Sequence, residues 1–302
     1  MNLPKLITIL GPTASGKSGL AIRLAKKFSG EIVSADSRQI YRGLVIGSGL
    51  VKGEWKKDTY LSENIPHHLV QFIEPDEDFS AAQFKELALI KISKIQKKGN
   101  LPFLVGGTGL YVDAVTKNLE IPKVKPNKAL RQKLDKKSNE VLLAQLASLD
   151  VKAAQNIDKH NKRRLIRAIE VSLLGDSSFS SSQKKGPRLF EVLRLGIKID
   201  RHELYKKIDQ RVDQMIEDGL ISEVENLLKL YSKNSSAFSG IGYKQVIEYL
   251  NGEINEREMI QKIKTATHAY ARRQITWLKR DKEINWVDDY KKAEKLVKRF
   301  IS

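Results

Sequence analysis

The sequence predicts an α/β fold, a parallel sheet flanked by helices, with a helical insertion domain in the middle of the chain. Two observations predict it. Short apolar runs alternate with helical segments in the first part of the 302 residues, and such alternation is typical of a parallel sheet. From residue 118 to residue 174 the sequence is helical and has little strand propensity.

The first strand, residues 6–10, leads into the glycine-rich stretch GPTASGKS at residues 11–18, and residues 17–28 read as the following helix. This stretch fits the pattern G-x-x-x-x-G-K-[ST] of a P-loop, in which backbone N–H groups converge on phosphate oxygens. We expect Lys17 to reach the terminal phosphates and Ser18 to ligate Mg²⁺. The residues expected to bind phosphate are Gly11, Pro12, Thr13, Ala14, Ser15, Gly16, Lys17 and Ser18. The fold is therefore expected to be P-loop NTPase-like.

Two more strands are predicted at residues 31–35 and 101–105. Ser80 and Gln83 form a capping-box pattern that begins a long helix between these strands. Polar loops at residues 11–18, 35–39 and 106–111 each follow a strand. Because the carboxyl ends of parallel strands meet at one edge of a sheet, we expect these loops to build a single site.

The predicted insertion spans residues 118–187, and the α/β core comprises residues 1–117 and 188–302. Residues 190–199 again read as a strand. Four helical segments are expected after it, beginning near residues 201, 220, 240 and 255.

Charge suggests a polyanionic partner. Lys and Arg number 54 against 36 Asp and Glu, which gives a net charge of +18, and such a field attracts polyanions. A protein from a lysine-rich proteome would also have a high positive charge. The positions of the charges in the sequence therefore have to distinguish this explanation from a polyanionic partner. The sequence has no apolar run long enough for a membrane span, no cleavable signal pattern and no cysteine, which favours a cytoplasmic protein.

Asp36 ends the second strand within Ser-Ala-Asp-Ser. It could be a base that faces a substrate, or it could cap an Asx turn, and spacing alone leaves both interpretations open. An ATPase would also need an acidic residue that ends a hydrophobic strand, but the third strand runs into Gly106-Gly107-Thr108 instead.

A family resemblance follows from motifs that stand in order along the chain: GPTASGKS, VSADSRQIYRGL, IPHHL, EPDEDFSAAQF, VGGTGLY, NKRRLIRAIE, GIGYK and ARRQITWLKR. With these motifs the sequence resembles bacterial tRNA dimethylallyltransferases, also called tRNA isopentenyltransferases, from about residue 5 to residue 280. It departs from the family at Val45 and Ser48, which stand where the family usually has Asp and Thr.

The resemblance implies that the P-loop holds the diphosphate of dimethylallyl diphosphate, together with Mg²⁺, as a leaving group. The acceptor would be the N6 amine of adenosine 37, beside the anticodon of tRNAs that read codons starting with U. This amine needs a base to take its proton as the C–N bond forms, and Asp36 matches the base of the family. Lys17, Thr13 and Arg211 match positions that contact or neutralise the diphosphate.

Helical periodicity supports Arg211 independently. Leu204, Ile208, Val212 and Met215 form one apolar stripe, and Arg211 borders it. The alternative is an arginine that lies along the core edge with its head in water.

Basic residues cluster in three places. Residues 117–137 contain eight basic and two acidic residues, and residues 262–282 contain seven and one. On the helix at 161–174, Leu165, Ile169 and Leu173 are expected to be buried, with arginines on the opposite side. The resemblance carries tRNA contacts to Asp36, Ser37, Arg38, Gln39, Thr108, Arg131, Arg163, Arg164, Leu165, Ile166, Arg167, Ser239, Gly240, Ile241, Gly242, Tyr243, Lys244, Arg272, Arg273, Gln274 and Lys279.

His67 and His68 are interpreted as structural, because adjacent side chains point in different directions and no carboxylate partner is evident. The leading hypothesis is an Mg²⁺-dependent prenyltransferase that acts on the tRNA anticodon stem-loop as a monomer. The alternatives are a small-molecule P-loop kinase, an adenylate isopentenyltransferase and a non-enzymatic RNA-binding ATPase.

Overall fold

The computed structural model describes residues 3–122, 124–175, 178–181 and 185–302. The chain forms two units, one of Met1–Val112 with Leu189–Ser302 and one of Asp113–Arg188. The predicted insertion, residues 118–187, falls within the second unit. None of the described helices is both long and apolar enough to cross a membrane.

The first unit contains a sheet with the strand order β3-β4-β5-β2-β6-β1-β7-β8. Its strands are β1 (Lys5–Leu10), β2 (Gly30–Ser34), β3 (Glu54–Lys56), β4 (Thr59–Ser62), β5 (Ile65–His68), β6 (Leu101–Gly106), β7 (Glu191–Ile197) and β8 (Ile284–Val287). The strands β5, β2, β6, β1, β7 and β8 run parallel, which confirms the predicted fold class. An antiparallel extension, β3-β4-β5, was not predicted.

The helices are α1 (Lys17–Lys27), α2 (Ala81–Lys97), α3 (Gly109–Thr116), α4 (Lys128–Asp135), α5 (Asn139–Leu149), α6 (Val151–Asn156), α7 (Lys162–Leu174), α8 (Arg201–Glu217), α9 (Leu220–Leu230), α10 (Tyr243–Leu250), α11 (Glu256–Lys279) and α12 (Tyr290–Ile301). The predicted capping box begins α2: Ser80 Oγ accepts from the Gln83 N–H at 3.2 Å, and the Ser80 N–H donates to Gln83 Oε1 at 3.0 Å. The last helix, α12, is absent from the sequence-based prediction.

The described residues of the first unit include two large hydrophobic clusters. One packs α1 against the sheet around Leu24, Phe103 and Leu195. The other joins α8 to α9, α10 and α11 around Leu204, Ile208 and Tyr243. The apolar stripe predicted for α8 is therefore confirmed. Arg211 borders this stripe and interacts electrostatically with Asp36, which follows β2.

The second unit has a core of its own, formed by residues such as Leu142, Leu146, Leu165 and Ile169. The expected burial of Leu173 is wrong, since 45% of this residue is exposed. The reason is that α7 ends at Leu174, and Val171 is the apolar residue buried in its last turn.

Candidate active site

The P-loop joins β1 to α1 and is held in a tight conformation. Gly16 begins the helix with a φ of 87°, in the left-handed region that favours glycine. A Cβ at Gly11 would lie 2.5 Å from Ser15 Oγ. That hydroxyl is buried and has no hydrogen-bond partner in the part of the chain that the structure describes.

Lys17 lines a small cavity beside the P-loop. Ser18, Asp36, Gln39 and Gly106 line the same cavity. Burial lowers the pKa of Lys17 to about 8; the carboxylate of Asp36 raises this pKa and the guanidinium of Arg211 lowers it. Three charged groups that lie far apart in the sequence therefore act on each other at one place.

Asp36 follows β2 and makes the Asx-turn contact that its sequence context allowed. Its Oδ1 atom accepts a hydrogen bond from the Arg38 N–H at 2.9 Å, which is an Asx-turn contact. The carboxylate also lines the cleft with Lys17 and Ser18. The turn thus aims an acidic group at the predicted phosphate site.

The loop after β6 closes the same edge of the sheet. Thr108 Oγ1 accepts from the Ser37 N–H at 3.1 Å, and the Thr108 N–H donates to the Ala35 carbonyl oxygen at 3.2 Å. A Cβ at Gly106 would lie 2.1 Å from that same carbonyl oxygen, so the close approach of the two loops requires glycine. The expected convergence of the three polar loops is what the structure shows.

Arg211 extends from α8 toward this cleft. Burial lowers the pKa of its guanidinium, and the charge of Asp36 raises it. Its Nη2 atom lies against Gly49, where a Cβ would be only 1.5 Å away. Gly49 has a φ of 61°, so both its conformation and its neighbour favour glycine.

Gln274 has a structural role at the site that the sequence did not reveal. Its Oε1 accepts from the Thr13 N–H at 2.9 Å, and its Nε2 donates to the Gly107 carbonyl oxygen at 2.9 Å. Only 7% of the residue is exposed. The helix α11 therefore connects the P-loop to the loop after β6.

The histidines of β5, His67 and His68, are engaged within the protein. The ring of His67 hydrogen-bonds through Nδ1 to the Ile65 carbonyl oxygen at 2.9 Å. His68 Nε2 lies 2.6 Å from Glu31 Oε2, so the expectation that no carboxylate faces this pair is wrong for His68. Glu31 is 3% exposed and also accepts from Asn100 and Lys98, which makes the cluster a structural one.

Comparison with known proteins identifies the family. The model described as IPP transferase matches residues 39–281, and the one described as Isopentenyl transferase matches residues 4–62. The chain belongs to the IPP transferase family. A tRNA dimethylallyltransferase of Thermoanaerobacter sp. (strain X514) is 42% identical over 98% of this chain and 96% of that protein.

Solved structures share the fold. The full-length tRNA isopentenylpyrophosphate transferase from Bacillus halodurans is 35% identical, with a TM-score of 0.71 over 98% of this chain and 95% of that chain. A eukaryotic dimethylallyltransferase acting on tRNA is 27% identical, with a TM-score of 0.76 over 94% of this chain and 74% of that chain.

In the first unit of this IPP transferase, the residues to which the family resemblance assigns RNA contacts differ in their exposure to solvent. Arg38 donates to the carbonyl oxygens of Ser236 and Ala237 at 2.9 and 3.2 Å. Tyr243 is fully buried, whereas Lys244, Arg272, Arg273 and Lys279 are exposed. The exposed basic side chains are the ones that a ligand in solution can reach.

In the second unit, Arg131 and Arg167 are paired with a buried carboxylate. Arg131 donates to Glu170 through Nε at 2.8 Å and Nη2 at 2.6 Å, and Arg167 donates through Nη1 at 2.6 Å. Glu170 is fully buried. Arg163 and Arg164 of α7 are exposed, whereas Arg167 of the same helix is paired with Glu170.

The two positions that depart from the family, Val45 and Ser48, make different contacts in the loop at residues 44–50. Val45 is 41% exposed, and its contribution is a backbone N–H that donates to Glu223 Oε2. Ser48 is buried, and its hydroxyl donates to the Leu44 carbonyl oxygen at 2.5 Å. Both residues therefore support the backbone of the loop.

Proposed function

We propose that this IPP transferase transfers a dimethylallyl group from dimethylallyl diphosphate to the N6 amine of adenosine 37 in tRNAs that read codons starting with U. The observation that carries the proposal is that Lys17, Ser18 and Asp36 line one cavity. The Arg211 guanidinium lies close enough to act on the charges of Lys17 and Asp36. The names of the relatives support the same reaction. The product is N6-dimethylallyladenosine.

In the proposed reaction the amine nitrogen attacks the allylic carbon, and the bond from that carbon to the diphosphate oxygen breaks. The amine proton goes to the Asp36 carboxylate, and the diphosphate leaves with the bonding electron pair. Because the lone pair of this amine is delocalised into the purine ring, proton removal must accompany attack. The Asx turn at Asp36 holds the carboxylate ready for that proton.

The leaving group gathers negative charge in the transition state. Lys17, Arg211 and the N–H groups of the P-loop would stabilise that charge. Thr13 would act through its place in the loop, where Gln274 holds its backbone N–H. Since Lys17 and Arg211 are only partly exposed, solvent screens their attraction for the diphosphate less than it would at the surface.

The residues at the cleft fit Mg²⁺. Ser18 and Asp36 supply oxygen atoms to the lining of one cavity. Mg²⁺ suits such a place, because it keeps several waters and takes oxygen ligands from one or two side chains and from substrate phosphates. Ser18 would hold the ion, which would neutralise the departing diphosphate.

Adenosine must leave its stack to reach the cleft, as in other enzymes that modify a base. Exposed basic residues would bind the RNA phosphates. In the first unit they are Arg272, Arg273 and Lys279, and in the insertion they are Arg163 and Arg164. We place the reaction in the cytoplasm and expect a monomer.

One assay separates this reaction from the alternatives. The protein is incubated with Mg²⁺, dimethylallyl diphosphate and unmodified tRNA, and the tRNA is digested to nucleosides. We expect N6-dimethylallyladenosine without added ATP. A kinase or an ATPase would give no such nucleoside, and an adenylate isopentenyltransferase would modify free AMP in preference to tRNA.

A further inference from the structure

Glu223 on α9 binds the loop of residues 44–50 through consecutive backbone groups. Its Oε2 accepts from the N–H of Val45 at 3.1 Å and of Ile46 at 2.7 Å. Its Oε1 accepts from the N–H of Gly47 at 3.1 Å and from the Tyr243 hydroxyl at 2.7 Å. One carboxylate thus receives four hydrogen bonds, two on each oxygen.

The loop rests on a rigid support. Tyr243 is fully buried, and a Cβ at Gly47 would lie 2.5 Å from Cζ of the tyrosine ring. The loop therefore packs directly on the ring whose hydroxyl helps to hold Glu223. These contacts fix residues 45–47 relative to α9 and α10.

The anchored residues in turn hold Gly49. The Gly49 N–H donates to the Ile46 carbonyl oxygen at 2.9 Å, and the Leu50 N–H donates to the Val45 carbonyl oxygen at 3.1 Å. The Gly49 backbone lies against the Arg211 guanidinium. The chain of contacts runs from Glu223 through Ile46 and Gly49 to the arginine of the cleft.

We propose that Glu223 is a positioning residue of the active site, which fixes the loop of residues 44–50 so that Gly49 holds the Arg211 guanidinium toward the diphosphate. This inference rests on the proposed role of Arg211. It also accounts for the departure at Val45: this residue is anchored by its backbone N–H, which tolerates a change of side chain.

The symmetry of the carboxylate allows a sharp test. In Glu223→Gln, either orientation of the amide points its NH2 group at two of the four donors. The Tyr243 hydroxyl can reverse its role, but a backbone N–H cannot. At least one backbone N–H therefore loses its acceptor, and the loop must shift although the side chain keeps its size.

Calorimetry with Mg²⁺ and inorganic pyrophosphate measures the effect without any prenyl transfer. We expect Glu223→Gln to weaken pyrophosphate binding about tenfold, the loss of roughly one charge-assisted hydrogen bond. In the Arg211→Ala background the same substitution should have no further effect, as expected for residues that act as a unit. Glu225→Gln, an exposed position on the same helix, is the control and should bind like wild type.

Unchanged affinity in Glu223→Gln, or effects that multiply in the double mutant, would overturn the inference. Two further variants keep the test independent of whether Glu223→Gln folds. Glu223→Asp shortens the side chain and keeps its charge, and Gly49→Ala places a methyl group against the guanidinium; both should show the same coupling to Arg211. The nucleoside assay on the wild-type protein tests the proposed function separately.

Discussion

Gln274 accepts a hydrogen bond from the backbone N–H of Thr13 at 2.9 Å, so the long helix α11 is tied to the P-loop. The other end of the same amide donates to the Gly107 carbonyl oxygen. A buried amide whose two ends serve different loops fixes their separation. The width of the phosphate site therefore depends on a residue near the carboxyl end of the chain.

Gln274→Ala should destabilise the protein and weaken pyrophosphate binding. It leaves the Thr13 N–H and the Gly107 carbonyl oxygen without their partner, a cost of about 1–3 kcal/mol in the free energy of unfolding. Urea unfolding and calorimetry measure the two effects. Gln261→Ala, an exposed glutamine on the same helix, is the control. Wild-type pyrophosphate affinity in Gln274→Ala would contradict the bridging role.

The features that the sequence predicted are local ones. The P-loop pattern, the capping box of Ser80 and the stripe on α8 each lie within one element or its flanks, where side-chain period and capping chemistry determine the structure. The convergence of the three loops also followed, because parallel strands bring their carboxyl ends together.

Contacts between distant residues could not be read from the sequence. Gln274 and Thr13 are 261 positions apart, and nothing in either segment indicates the other. The salt bridges of Glu170 also depend on packing, because Arg131 lies 39 positions away. The short strands β3 and β4 gave no clear alternation, so the antiparallel edge was missed. The proposed RNA contacts rest on resemblance and exposure.

The affinity for diphosphate should fall as the pH rises above 8. Burial lowers the pKa of Lys17 from 10.5 to about 8, so its amine is charged below this pH and loses its charge above it. Because bound diphosphate favours the charged amine, binding takes up a proton, and affinity should fall by up to about tenfold per pH unit. Calorimetry with pyrophosphate at pH 7 to 10 measures this dependence.

Pyrophosphate ionises in the same range, so the matched variant is Lys17→Arg. Arginine keeps its charge throughout, and the ionisation of the ligand is common to both proteins. The wild type should show the steeper fall in affinity with pH. Equal slopes would mean that Lys17 does not titrate in this range.

The arginines of α7 should separate into binding and structural residues. A triple mutant that combines Arg163→Ala, Arg164→Ala and Arg272→Ala should bind tRNA more weakly. The slope of the logarithm of the binding constant against the logarithm of the salt concentration should become less steep, by about 0.9 or less for each phosphate that is no longer neutralised. The stability should change little, since these side chains are exposed. Filter binding of tRNA at several salt concentrations, together with thermal unfolding, measures both quantities.

Arg131→Ala and Arg167→Ala are the matched comparison. Each removes a partner of the buried Glu170 carboxylate and should destabilise the protein by about 1–3 kcal/mol. The outcome that would contradict the binding role concerns the triple mutant of Arg163, Arg164 and Arg272. If its tRNA binding kept the salt dependence of the wild type, these exposed arginines would contact only solvent.

Asp36→Asn tests whether the carboxylate is a base or only a cap. Asparagine still accepts the hydrogen bond from the Arg38 N–H, because an amide oxygen can replace Oδ1 in the Asx turn. It cannot take a proton from the attacking amine. A base therefore predicts that Asp36→Asn and Asp36→Ala both reduce turnover by about 10²–10⁴-fold.

The affinity for tRNA should distinguish loss of chemistry from loss of structure. The proposed contact of Asp36 with the amine strengthens as the N–C bond forms, and in the ground state it replaces a single hydrogen bond to water. Both variants should therefore bind tRNA nearly as well as the wild type, with the loss confined to the rate of transfer. Single-turnover measurement at saturating tRNA and dimethylallyl diphosphate isolates that rate. A near-normal rate in Asp36→Asn, with a reduced one in Asp36→Ala, would assign the aspartate to the turn and leave the amine proton to another acceptor.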